Sequence, residues 1–386
     1  MLGIPLLSNL EPAKKVEAPK DFRPGLQFDG TDGTATTEGL PEAPNFDEFL
    51  ADRGYSPDEY EIVGTPRTSQ WQRWDGLWLT AFRFHFRKKV TDFDLPTLYA
   101  QAKRTRVKQP KPVDSEKVFV ICPADFQIGK GASRGGHEES IQRIHASYDR
   151  IEARLKSGKY SSIVILDIGD VIEGVSSKAD MEQLQSNTLS PMQQVDLAAA
   201  LLWDLVKLAC KYAPVTFGSV ASNHCQFRIN KAQVGKPGLD DWGIVILQQL
   251  RRLATEVGLP VTEWLIPQPH EEGFAFDVFG DGQHVLGAIH GHQVSRPDGV
   301  TAYWSKASFR DSYLAAATTL VTGHFHHSRV EEVSGSGLGR WWVQCATSDN
   351  GSDWFSRIRG GGDSTTAITC FELVKGEPFR GRIELL

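Results

Sequence analysis

From Val118 onward the chain repeats one pattern: a short apolar run, a polar cluster, then a stretch with helical spacing. The runs VFVIC, IVILDI, VTFGSV, HVLGAI and TTLV read as strands. Between them, HEESIQRIHASYDRIEARLKSG places Ile141, Ile144, Tyr148, Ile151 and Leu155 on one helical face, with Gly158 as a stop. SPMQQVDLAAALLWDLVKLACKY predicts a second amphipathic helix, with Ser190 as N-cap and Pro191 at its first position. LDDWGIVILQQLRRLATEVG predicts a third, closed by Gly258. After Val261 the pattern turns to strands: VTEWLI, FAFDVF, HVLGAIH, LVTGH, RVEEV, WWVQCAT, AITCFELV and GRIELL. Alternation followed by a strand-rich half predicts an α/β (α+β) fold with two face-to-face mixed β-sheets flanked by helices.

The N-terminal third reads differently. Residues 1–43 are rich in Pro, Gly, Thr and Glu and predict an extended or poorly ordered arm. FDEFLADRG then suggests a short helix stopped by Gly54. In WDGLWLTAFRFHF, the alternation of Trp78, Phe82, Phe84 and Phe86 suggests a strand. Residues 44–95 thus read as a small α+β module, able to bind substrate, and 96–116 as a basic linker to a main domain at 117–386.

With 386 residues, 40% hydrophobic and 23% charged, the chain has room for one large domain and an accessory region. No apolar run reaches the roughly 20 residues that span a bilayer, so no membrane role is expected. MLGIPLLSNLEPAKK has no basic residue before its apolar patch, which argues against a signal peptide and for a cytoplasmic protein. The five cysteines show no CxxC spacing and suit reduced, buried thiols. Net charge is -6, yet Arg83 to Lys111 carries nine Lys or Arg against two acids. Such a stretch suits a polyanion partner or, equally, a solvated linker.

The chemistry lies in the polar clusters that end the apolar runs. They are Asp125-Phe126-Gln127, Gly169-Asp170, Asn223-His224, His290-Gly291-His292 and Gly323-His324-Phe325-His326. Strand ends that project Asp, Asn and His toward one point supply what a pair of divalent cations needs. A lone Asp170 after a glycine would be an ordinary turn. His324 and His326, two residues apart on an extended segment, are harder to explain as structural.

In this order the five clusters resemble the calcineurin-like metallophosphoesterase superfamily over about residues 117–386. The DFQIGK form of the first motif resembles bacteriophage members near the DNA double-strand-break-repair exonucleases. The resemblance implies an αββα sandwich with two divalent metal ions, manganese first, with magnesium, iron or zinc as alternatives. One would take Asp125, Gln127, Asp170 and His326; the other Asp170, Asn223, His290 and His324. Asp170 would bridge them, and His224 would stand over the leaving oxygen as a proton donor or transition-state stabiliser. The implied reaction is phosphodiester hydrolysis by a metal-activated hydroxide, with DNA as substrate and a nuclease as the result. Also implied are an ATPase partner or a homodimer, and the host cytoplasm if the chain is phage-encoded.

Two departures from that pattern matter. Gln127 stands where the superfamily usually has His, and an amide oxygen is the harder, weaker ligand. Cys225 follows Asn223-His224 where relatives often carry an acid; Asp196 or Asp240 could serve His224 instead. Glu173 reads as a solvated helix start rather than an acid near Asp170, and His270, His284 and His327 as surface or packing residues. GKGASRGG, with Lys130 and Arg134, and TSDNGSDWFSRIRGGG, with Arg357 and Arg359, are flexible-looking candidates for substrate contact. His292 faces substrate or supports a ligand. Two alternatives stay open: a phosphoesterase acting on a small substrate (cyclic nucleotide, dinucleotide or phosphoprotein), and a non-catalytic nucleic-acid-binding relative.

Overall fold

The computed structural model describes residues 22–28, 32–88, 110, 113–132, 134–174, 187–229, 232–310, 312–351 and 365–386. It divides into two compact units, Met1–Thr91 and Asp92–Leu386.

The first unit is an antiparallel sheet of β1 (Gly25–Phe28), β2 (Asp32–Thr36), β3 (Tyr60–Gln72) and β4 (Trp78–Lys88), ordered β1-β2-β4-β3. Helix α1 (Phe46–Ala51) starts at Asn45, whose side chain accepts from the Asp47 and Glu48 amides, and it buries Leu50. Phe84 and Phe86 point inward with Ala35 and Leu50, flanked by Phe28, Tyr55 and Tyr60. Residues 25–28 and 32–36 therefore pair as strands, inside the segment expected to be an extended arm. The Asp-Gly-Thr-Ala-Thr composition of β2 hides the signal: β2 gains ladder hydrogen bonds along β4, while β1 pairs with β2 and sets Leu26 and Phe28 against the core.

The second unit is a two-sheet sandwich. One sheet holds β5 (Lys117–Cys122), β6 (Ser162–Asp167) and β7 (Val215–Ser219), all parallel. The short hairpin β8 (Arg228–Ile229) and β9 (Ala232–Gln233) stands apart. β10 (Val261–Leu265) extends the parallel run beyond β7. The other sheet is built from β11 (Phe274–Asp277), β12 (Val285–Ala288), β13 (Thr319–Thr322), β14 (Arg329–Ser334) and β15 (Arg340–Gln344). Finally β16 (Thr369–Val374) returns antiparallel to β5, and β17 (Glu384–Leu385) pairs with β16. The strand-rich half is thus shared between sheets: β10, β16 and β17 join the first one, because edge positions beside β7 and β5 are open to them.

Between the sheets, Val118, Val120, Cys122, Val164, Leu166 and Val220 meet Leu286, Ala288, Val321, Val343 and Cys345. Outside the first sheet lie α2 (His137–Ser157), α3 (Pro191–Ala209) and α4 (Trp242–Val257). α2 buries Ile144, Tyr148, Ile151 and Leu155; Ile141, expected on that face, is only half-buried. α3 carries the expected Ser190 cap, and α4 ends at Gly258 in the left-handed conformation, φ 69°. Outside the second sheet, α5 (Val300–Ser308) sets Val300 and Trp304 against Leu320 and Trp342. This helix was invisible in the sequence because Gly299 precedes it without a side-chain cap. All five cysteines are buried and unpaired. No helix among the described residues is long and apolar enough to cross a membrane.

Candidate metal centre

Parallel strands end on the same edge of a sheet, and the loops leaving those ends converge. Asp125 and Gln127 follow β5, Asp170 follows β6, and Asn223 and His224 follow β7. In the facing sheet His290 follows β12, His324 and His326 follow β13, and Asp349 follows β15. The polar clusters therefore leave the carboxyl ends of six parallel-paired strands.

The backbone there is strained. Asp125, Gln127, Asp170, His324 and His326 have φ of 50°, 43°, 52°, 71° and 58°; among the described non-glycine residues only Arg380 joins them. Each such residue costs on the order of 1 kcal/mol and persists only where its surroundings over-determine it. They do so here. The amides of Asp125 and Gln127 donate to the carbonyls of Gly169 and Asp170. The Asp170 amide donates to Ser222 Oγ at 2.8 Å, and the His324 amide to the Asp125 carboxylate at 2.9 Å. Gly169, φ 90°, cannot be replaced cheaply, since a Cβ would collide with Ser222 and press on His290. At Gly323 a Cβ would meet the Asp125 carboxylate at 2.7 Å.

Asp170, His290 and His324 each offer a ligand atom, all within 4.8 Å of one another. His290 Nδ1 donates to the Ile168 carbonyl at 2.8 Å, which turns Nε2 toward Asp170 Oδ2, also at 2.8 Å. That contact is an ion pair without hydrogen-bond geometry. Both atoms, and Asn223 Oδ1, are buried with no hydrogen-bond partner. Leaving a buried polar atom unsatisfied costs about 1–3 kcal/mol, so three together need a reason. A divalent cation satisfies an imidazole nitrogen, a carboxylate and an amide oxygen at once, and the residues fit that group. Burial would lower His290, but the Asp170 carboxylate lifts it to about 9. Burial and the neighbouring His290 push His324 down to about 3, so its imidazole is neutral, as a ligand must be.

The other half of the cluster is more closely knit. His326 Nδ1 lies 3.1 Å from Asp349 Oδ2, and its Nε2 lies 3.4 Å from Asp125 Oδ1. Although burial works against it, these two carboxylates raise His326 to about 10; Asp349 is itself held far below the usual carboxylate range by His326 and Lys130, against its burial. Lys130 Nζ donates to Gln127 Oε1 at 2.6 Å and to Asp349 Oδ2 at 2.7 Å. Lys130 is thus engaged within the protein rather than held out on a flexible loop, as the sequence suggested. Asp349 is the residue sequence reasoning underrated. Its segment is anchored: Thr347 Oγ1 donates to the Asp125 carbonyl, Asn350 Nδ2 to the Lys130 and Gly136 carbonyls, and Arg143 to Asn350 Oδ1. The Arg134 amide donates to the Asn350 carbonyl, tying down GKGASRGG as well. Arg357 and Arg359 lie outside the described residues.

His224 donates its amide to Asp170 Oδ1 at 2.9 Å. Its Nδ1 is 2.8 Å from the Glu173 carbonyl and 3.5 Å from Glu173 Oε2. Glu173 is 2% exposed, so the expectation of a solvated helix start is overturned; the β6 loop folds inward beneath His224. It is this acid that the fold brings to His224, where Asp196 and Asp240 had been the sequence candidates; Asp240 instead accepts from the Lys236 amide. His292 Nε2 stands 3.5 Å from Glu272 Oε1, and its ring centroid lies 5.5 Å from that of His290.

Behind the cluster, two buried acids hold the loops. Asp167 accepts from the Gly169 amide and Ser219 Oγ, and Asp241 from the amides of Ser222, Gly243 and Ile244. Burial raises their carboxyls to about 6 and about 7. Asp241 caps α4, so a helix start is wired through Ser222 to the Asp170 amide. The D-W-G-I-V-I start was its only sequence signal.

No protein-family model matches the chain, and no curated protein does. Among solved structures it is similar to PhoD, at 9% identity and TM-score 0.31, over 69% of this chain and 66% of that one, just under two thirds. It is also similar to the purple acid phosphatase PPD1 of yellow lupin (Lupinus luteus) seeds, at 9% identity and TM-score 0.34, over 92% of this chain and 71% of that one. Likeness at this level says nothing of activity.

Proposed function

We infer that the Asp92–Leu386 unit is a metal-dependent phosphoesterase working through a pair of divalent cations, and that its substrate is a phosphodiester of nucleic acid. The observation that carries the reading is the trio of orphaned buried atoms, Asp170 Oδ2, Asn223 Oδ1 and His290 Nε2, delivered by three strand ends. When bound, the cations supply Lewis acidity to the phosphoryl oxygens and activate water at neutral pH. Asp125, Gln127, Asp170 and His326 would hold one; Asp170, Asn223, His290 and His324 the other. Manganese suits both sets, with magnesium the alternative at the oxygen-rich first and iron or zinc at the second.

The remaining chemistry belongs to the chain. Asp170 is fixed at three points, by Ser222 Oγ on its amide, by the His224 amide on Oδ1, and by His290 at Oδ2. His224 is oriented through Nδ1 by the Glu173 carbonyl, with the Glu173 carboxylate 3.5 Å away, which suits the ring to donate a proton to the leaving oxygen. Nucleic acid as substrate is supported by the excess of cations between Arg83 and Lys111.

The test is cleavage of labelled single- and double-stranded DNA beside bis-p-nitrophenyl phosphate, with manganese added, across a salt series. A nuclease neutralising several phosphates loses DNA cleavage steeply with salt while the small ester is little affected. Turnover of the small ester with no cleavage of either DNA at any salt would overturn the nucleic-acid assignment.

A further inference from the structure

The two halves of the cluster are built differently. On one side, Asp170 Oδ2, Asn223 Oδ1 and His290 Nε2 have no hydrogen-bond partners. On the other, the oxygen that Gln127 would offer is already bound by a cation of the protein itself, the Lys130 ammonium. Lys130 and Asp349 form an ion pair at 2.7 Å with side chains 12% and 2% exposed, so water screens it little. The loop holds it in place: the Lys130 amide donates to the Gln127 carbonyl, and the Lys130 carbonyl accepts from Asn350 Nδ2.

We propose that Lys130 is a resident cation that sets the affinities of the two metal positions apart, so that they load in order. Resting on the two-cation reading above, the Asp170–Asn223–His290–His324 position fills first and tightly. The Asp125–Gln127–Asp170–His326 position fills second and weakly.

Three effects of one ammonium combine. An amide oxygen has two acceptor positions and no charge, and Lys130 uses one of them. Lys130 shares the Asp349 oxygen that also holds His326 Nδ1, so it draws off negative charge that would otherwise make His326 a more basic ligand. Its positive charge also opposes any second cation directly, in a setting of low dielectric. The first effect depends on the pairing of a lysine with a glutamine three residues before it. A histidine at 127 would hold a cation more strongly and would not offer an oxygen to the ammonium.

The test is a manganese titration of the full, metal-stripped chain by calorimetry, with electron paramagnetic resonance on the same samples. The native protein should bind two ions in separate steps, with uncoupled manganese signals at one equivalent and spin coupling appearing only at excess. Lys130→Gln, which keeps a hydrogen-bond donor and removes the charge, should tighten the weak step about 10–100-fold, the range typical of groups that support a ligand. The tight step should stay unchanged. Lys130→Arg, which keeps the charge, should leave the two steps apart, and thermal melts report whether both variants fold. Two equal steps in the native protein, or a gap that Lys130→Gln does not narrow, would overturn the proposal while leaving the two-cation reading intact. No manganese binding at all would overturn both.

Discussion

At the level of single residues, the candidate ligands divide into those that a sequence announces and those that only packing reveals. Asp125, Asp170, Asn223, His290, His324 and His326 stood out because chemistry-bearing side chains recur just after apolar runs. Glu173 and Asp349 did not, since an acid in a polar stretch looks solvated until the loop is seen to fold inward. In the proposed centre the Asp170 carboxylate serves both cation positions, so Asp170→Asn should lower hydrolysis by at least about 100-fold, beyond the 10–100-fold typical of supporting groups. It should also abolish spin coupling between bound manganese ions. His224→Ala should behave otherwise, cutting kcat by about 100-fold or more, as for loss of a general acid, while the stoichiometry of bound cation stays the same.

The titration of the two raised histidines fixes a pH dependence. Their values of about 9 for His290 and about 10 for His326 exceed the ordinary 6.5, so both are protonated in the cation-free protein at neutral pH. The stability their ion pairs contribute is therefore fully present below about pH 6.5 and is lost as pH rises through 9 to 10. Cation binding needs the neutral rings and must displace those protons. Apparent manganese affinity should climb as pH rises from 6 toward 9, with protons released on binding, which calorimetry in buffers of differing ionisation heat measures directly. An affinity independent of pH over that interval would mean that these rings are not ligands.

At the level of elements, what the sequence carried well was periodicity. The helices around Ile144, Leu202 and Leu250 were legible from spacing, caps and terminal glycines. The strands after Val261 were legible too, but not their sheet. Sheet membership depends on long-range pairing, as where β16 returns to β5 across some 250 residues, and no local pattern encodes it. Nor did any local pattern mark the left-handed ligand residues: Asp and His favour that region only as a class, which singles out no position, and Gln127 has no such preference. The strain lives in the loops, so Gly169→Ala should destabilise the cation-free protein by roughly 1–3 kcal/mol and weaken cation binding as well. Ser190→Ala, at the distant cap of α3, should cost about 1 kcal/mol with hydrolysis unaltered. Equal effects of the two on binding would argue that the loops are not pre-set by their strand ends.

For the whole molecule, the division at Thr91 separates the candidate centre from the first unit. All seven candidate ligands and His224 lie in the second unit, which has its own core between its sheets. Deleting residues 1–91 should therefore spare hydrolysis of a small phosphodiester. If the first unit binds substrate, the same deletion should weaken action on DNA; equal loss of both activities would assign it a structural role.

The most direct test of a two-cation phosphoesterase is restoration of activity to the metal-stripped chain. Hydrolysis of bis-p-nitrophenyl phosphate would be followed with manganese, magnesium, iron, zinc or nothing added, and with Asp170→Asn alongside. The expected result is no turnover without a cation, recovery with at least one of the four, and none in Asp170→Asn under any of them. Turnover that survives metal stripping, or that Asp170→Asn retains in full, would contradict the assignment of the cluster as the catalytic centre.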